Sequence, residues 1–77
     1  MRVCVRFFGN LRNYLKNGQE VVQVDFQHPV TVEELLQRLG VDEQEIWAVS
    51  VNDQKVASDF PLTEDCEIMV FPPIGGG

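Results

Sequence analysis

A chain of 77 residues has room for one small domain with a single core layer. Its 44% hydrophobic and 23% charged residues are the composition of a globular protein, and no apolar run approaches the length of a bilayer span. A formal net charge of −6 argues against direct nucleic-acid binding, which needs a basic patch to attract phosphate, and points instead to a partner with a basic surface.

The charge is lopsided. Arg2, Arg6, Arg12 and Lys16 precede the first acid, and every Asp and Glu lies later. Met1 to Arg6 alternate in polarity instead of forming the charged-then-apolar block of a signal peptide, so a cytoplasmic location without membrane attachment is expected. Cys4 and Cys66 have no close motif spacing and read as thiols, small residues of the core or a sheet face.

Residues 2 to 8 alternate with period two and are rich in β-branched and aromatic types, which predicts a strand with Val3, Val5 and Phe7 facing a core. Gly9-Asn10 breaks it. Leu11, Tyr14 and Leu15 then recur at helical spacing until Asn17-Gly18, and a second strand spans 20 to 26 with Val22, Val24 and Phe26 on one face. Residues 32 to 39 are the clearest helix, because Val32, Leu35, Leu36 and Leu39 make one apolar stripe. Thr31 and Glu34 form a capping box at its start, and Gly40 supplies a left-handed stop.

After an acidic loop (Asp42, Glu43, Glu45), residues 46 to 51 read as a strand with Trp47, Val49 and Val51 on one face. Asn52-Asp53 supplies a turn, Lys55 to Ala57 a short edge strand, Pro61 another turn, and Glu67 to Phe71 a final strand. The order is ββαββ. One helix among two strand pairs can bury its stripe only against one face of a common sheet, which predicts an α+β β-grasp (ubiquitin-like) domain with a mixed sheet. Its first and last strands are expected to lie side by side and parallel at the sheet centre. The domain is expected to span residues 1–73, and residues 74–77 to form a flexible glycine tail.

Strand parity puts Arg2, Cys4, Arg6 and Phe8 on the face opposite the helix, together with Glu67, Met69 and Phe71. No second helix in the sequence covers them. Phe8, Met69 and Phe71, with Arg6 and Arg2 as polar rim, therefore make a candidate partner-binding patch. It adjoins Pro72-Pro73, which favour an extended stretch leading to Ile74-Gly75-Gly76-Gly77. Glycine composition alone reads as a frayed end.

Phe60 to Gly77, with its closing strand, Pro72-Pro73 and terminal Gly76-Gly77, resembles the ubiquitin-like sulfur carriers, in particular molybdopterin synthase small subunits. Supporting stretches are Val3 to Phe8 followed by Leu11-Arg12, Thr31 to Leu35, and Val51-Asn52. The chain departs from the family pattern at Asp65-Cys66, where Gly-Asp is frequent, at Lys55, where an apolar docking residue is usual, and at the third glycine, Gly75. The resemblance implies that an E1-like adenylyltransferase activates the Gly77 carboxylate with ATP and that a sulfur donor, such as a persulfide protein, converts the adenylate to a thiocarboxylate. It implies further that Gly76 gives the tail access to a molybdopterin synthase large subunit, where the sulfur passes to the pterin precursor of the molybdenum cofactor. Phe8 and Phe71 match apolar docking positions.

Alternatives of the same chemistry are a sulfur carrier for thiazole (thiamine) or cysteine synthesis, and a ubiquitin-like modifier conjugated to lysines through Gly77. A β-grasp interaction domain with an inert tail is a third. No bound cofactor or metal is expected. A free-standing enzyme is disfavoured, since His28 is the only histidine and precedes Pro29 in a predicted loop, while Glu33 and Glu34 are explained by helix capping. A β-grasp ferredoxin needs four cysteine ligands and the chain has 2.

Overall fold

The structure, a computed structural model, describes residues 1–15 and 20–73, the side chains of residues 12–14 excepted. Lys16, the Asn17-Gly18 turn and the tail from Ile74 to Gly77 lie outside the described residues. Strand β1 (Arg2–Phe7) leads through a 3-10 helix (Gly9–Tyr14) to β2 (Val21–Asp25). A two-residue strand β3 (Val30–Thr31) runs directly into helix α1 (Val32–Arg38). A 3-10 turn (Glu43–Glu45) then precedes β4 (Ala48–Val51), β5 (Gln54–Val56), β6 (Pro61–Leu62) and β7 (Cys66–Phe71).

Five strands form one sheet in the order β2-β1-β7-β4-β5. The first and last of them pair in parallel, Val3 with Cys66 through Phe7 with Val70, and the other neighbours are antiparallel. Sequence alternation explains which face is covered. Val3, Val5 and Phe7 from β1, Ile68 and Val70 from β7, and Val49 and Val51 from β4 all point into one core against Val32, Leu35 and Leu36 of α1. Each such side chain contributes roughly 1.5–3 kcal/mol by leaving water.

Helix α1 ends where local chemistry ends it. The Thr31 hydroxyl accepts from the Glu34 amide at 3.1 Å while the Glu34 carboxylate accepts from the Thr31 amide at 3.1 Å, completing the capping box. At the other end Gly40 adopts φ +78°, letting the Val41 amide donate to the Leu36 carbonyl and the Gly40 amide to that of Gln37. These two bonds make a Schellman motif, with Val41 buried beside it. Asn52 and Asp53, at φ 49° and 71°, form a two-residue turn of the type I′ kind between β4 and β5. The Asn52 side-chain oxygen also accepts from the Glu67 amide at 3.0 Å, which ties the hairpin to β7.

Two features depart from the expected layout. β3 and β6 pair as a separate two-stranded ladder, Val30 with Leu62 and Thr31 with Pro61, where Pro61 was expected only to turn the chain. Trp47 does not share the face of Val49 and Val51: the chain bends at Trp47, the strand begins at Ala48, and the indole is 56% exposed.

Leu35→Ala is expected to cost about 3 kcal/mol of unfolding free energy in urea titrations, since it empties a fully buried core position. Thr31→Ala should cost about 1 kcal/mol by removing the helix cap.

Candidate functional site

The sheet face opposite α1 carries Cys4 and Arg6 from β1 and Glu67, Met69 and Phe71 from β7, as strand parity requires. Cys4, Arg6, Met69 and Phe71 are half-buried there and Glu67 is exposed. Phe8 follows β1, and its amide donates to the Val70 carbonyl at 3.1 Å, so the backbone keeps strand direction for one more residue. Its ring stacks on Phe71, centroids 4.8 Å apart and planes 6° from parallel. The predicted patch residues Phe8, Met69, Phe71 and Arg6 are thus brought onto one face. Leu11, three residues after Phe8, sinks into the core on the other side.

Phe71 is held from both flanks, because its carbonyl accepts from the Trp47 amide at 2.8 Å on the β4 side while Phe8 lies on the β1 side. The chain then leaves through half-buried Pro72 and exposed Pro73. Gly9, at φ +60°, borders that exit: a Cβ there would stand 2.9 Å from Pro72 Cγ, so the missing side chain is the room the proline ring occupies. The root of the tail is therefore fixed by a central strand. Gly76 and Gly77 themselves lie outside the described residues.

Sequence reading marked Lys55 as a departure at a docking position but missed its contact with Trp47. Trp47 and Lys55 meet across the β4–β5 hairpin, with the Lys55 ammonium 5.1 Å from the indole centroid. Both line a shallow cavity of about 350 Å³ on the open face with Ala48, Ser50, Met69 and Phe71. The signal was the two-residue Asn52-Asp53 turn, whose register places Lys55 opposite Ser50 and hence on the open side. At the rim, the Arg6 guanidinium lies 3.7 Å from the Glu20 carboxylate and that of Arg2 lies 3.4 Å from Asp25. Such exposed pairs contribute little to stability.

Asp65, one of the departures from the family pattern, accepts from the Arg2 amide at 2.7 Å and so satisfies the first donor of β1. Cys66 begins β7 on the core side, half-buried, and both cysteines are free thiols. Burial pushes the Cys66 thiol up from its ordinary value, and the carboxylates of Asp65 and Glu64, then Cys4, add to the rise. Among the described residues no cluster of His, Cys, Asp or Glu is placed to hold a metal ion, and no helix is long and apolar enough to cross a membrane.

The architecture is that of the ubiquitin-like β-grasp proteins. The SAMP1 structure from Haloferax volcanii superimposes with a TM-score of 0.77 over 100% of both chains at 21% identity. A structure of the complex of subunits 1 and 2 of molybdopterin-converting factor from Helicobacter pylori matches with a TM-score of 0.64, 26% identity and 100% coverage of each chain. The ThiS family model matches residues 5–77, and the chain belongs to this family of ubiquitin-like sulfur carriers. The molybdopterin synthase sulfur carrier subunit of Escherichia coli (strain K12) is 33% identical over 97% of this chain and 99% of its own length.

Two measurements check the site. In a double-mutant cycle of Phe8→Ala and Phe71→Ala, a coupling of about 1 kcal/mol in unfolding free energy is expected from the stacked rings. Iodoacetamide should alkylate Cys66 in the folded protein more slowly than in the unfolded chain, with the rate rising as pH climbs above the ordinary thiol range. A rate equal to that of the unfolded chain across this range would contradict the raised thiol.

Proposed function

We propose that this protein is the sulfur-carrying small subunit of a molybdopterin synthase, with the Gly77 carboxylate as its reactive group. The observation that carries the reading is the root of the tail: it leaves the central strand β7 beside the uncovered Phe8–Phe71 stack. A partner gripping that face has the tail aimed into it. Kinship with the Escherichia coli sulfur carrier subunit supports the assignment, as does the structural likeness to the Helicobacter pylori protein that pairs with a second subunit.

A carboxylate is a poor electrophile. Attack of its oxygen on the α-phosphorus of ATP, in the active site of an E1-like adenylyltransferase, releases pyrophosphate and makes the acyl carbon susceptible with AMP as leaving group. The terminal sulfur of a persulfide protein displaces AMP and forms an acyl disulfide. A second thiol of the donor then attacks the S–S bond, leaving –COS⁻ on Gly77 and a disulfide on the donor. The thiocarboxylate is a soft nucleophile, able to pass its sulfur to the pterin precursor once the large subunit has taken up the tail. Gly75 and Gly76 carry no Cβ and suit a narrow passage.

Intact mass spectrometry of the chain incubated with its activating enzyme, ATP and a persulfide donor should show one oxygen-to-sulfur exchange, localised to Gly77. Absence of that exchange with a competent enzyme defeats the assignment. Exchange without a large-subunit complex would give the same tail chemistry to another acceptor. Phe8→Asp or Phe71→Asp should weaken the complex about tenfold or more, as loss of an interface anchor does. Deleting Gly77 should leave the thermal midpoint unchanged and abolish transfer.

A further inference from the structure

The half of the open face nearest the tail carries cations at its two sides, while Asp25 and Glu67 lie on the half away from it. The chain carries a net −6, yet the half of the face nearest the tail presents Lys55 at one side and Arg6 at the other. The two stand in one row across the sheet, since Lys55 pairs with Ser50, Ser50 with Met69, and Met69 with Arg6. Three strand spacings separate the backbones of Lys55 and Arg6 by about 14 Å. Met69 lies between them and the Phe8–Phe71 stack closes the end of the row nearest Pro72.

Trp47 belongs to the same surface. The hydrogen bond that its backbone amide donates to the Phe71 carbonyl holds it at the tail end of the sheet, and its ring, 56% exposed, is the most exposed large apolar side chain among the described residues. Lys55 sits over that ring at 5.1 Å, which fixes where one of the two charges stands. The acids that approach the row are Glu20, 3.7 Å from Arg6; Asp53, which borders the cavity under Lys55; Glu67, two residues before Met69 on the same face of β7; and Glu33 and Glu43, which line a second cavity with Trp47 and Lys55 on the helix side.

We propose that Trp47 extends the docking face, and that Lys55 and Arg6 at its two sides make it select a partner surface with an apolar centre and carboxylates on both flanks. The inference rests on the reading of this face as the dock for the large subunit. It replaces the basic partner that the total charge suggests by an acidic-rimmed one. The acidic remainder of the molecule repels such a surface, so charge both attracts the partner to this face and turns other approaches away.

The experiment uses the full chain and the molybdopterin synthase large subunit. Association rates are measured from about 0.01 M to about 0.15 M salt, where screening shortens from roughly 30 Å to roughly 8 Å. Lys55→Glu is expected to slow association about tenfold at low salt, with the gap narrowing as salt rises, and Lys55→Arg to restore it. Arg38→Glu is the control: it changes the charge equally and removes a guanidinium 5.1 Å from Phe26, but on the helix side. It should leave the rate within about twofold of the parent. Trp47 is the only tryptophan, so 5-fluorotryptophan labelling gives one fluorine resonance from this chain, expected to shift on complex formation.

Equal slowing by Lys55→Glu and Arg38→Glu, or an unmoved resonance in a formed complex, overturns this inference and leaves the sulfur-carrier reading standing. Failure of the unaltered chain to bind the large subunit at all overturns the assignment to molybdopterin synthase and this extension with it.

Discussion

The parallel pairing of β1 with β7 is the constraint on which the rest of the molecule depends. It joins the first and last strands at the centre of the sheet, so Val3, Val5 and Phe7 meet Ile68 and Val70 in the core, all of them sealed from water. The same register carries Phe8 onto Phe71 on the other side. A parallel pair cannot be closed by a tight turn and requires a crossover. Helix α1 lies within that crossover, and its apolar stripe covers the face it crosses.

Two faces of one sheet thereby acquire different work. One is filled by the helix and is purely apolar: no polar or charged side chain is buried among the described residues. The other is left as a single layer and keeps half-buried aromatics, a methionine and basic groups in reach of solvent. A carrier needs this separation. Its own scaffold must be inert, and the thiol that begins β7 is pushed up from its ordinary value by burial and then by neighbouring carboxylates.

Much of this was legible in the residues. Alternation in Val3 to Phe7 and Ile68 to Val70 gave strand faces, and the Thr31 to Gly40 stretch contained both ends of the helix in side-chain chemistry that acts over a few residues. What failed was non-local or depended on a bend. Pairing of Val30-Thr31 with Pro61-Leu62 is set by where the crossover lands, which two-residue strands cannot announce by periodicity. Trp47 was placed with Val49 by extending alternation one residue too far, past the bend that turns its indole toward Lys55. The face of Phe8, Met69 and Phe71 followed from parity, but its outer wall did not, because cross-strand neighbours require a register.

The position of β7 also has a consequence in time. It sits in the middle of the sheet but is synthesised after every other strand in it. Until residues 66–71 emerge, β2-β1 and β4-β5 are two separate hairpins, and an isolated two-stranded hairpin is at best marginal in water. Most of the cooperativity of this small fold is thus withheld until its last strand arrives, as expected of a topology rich in distant contacts. The Phe8–Phe71 surface comes into being in the same event as the folded domain, so a partner that reads that surface is also reading whether β7 is in place.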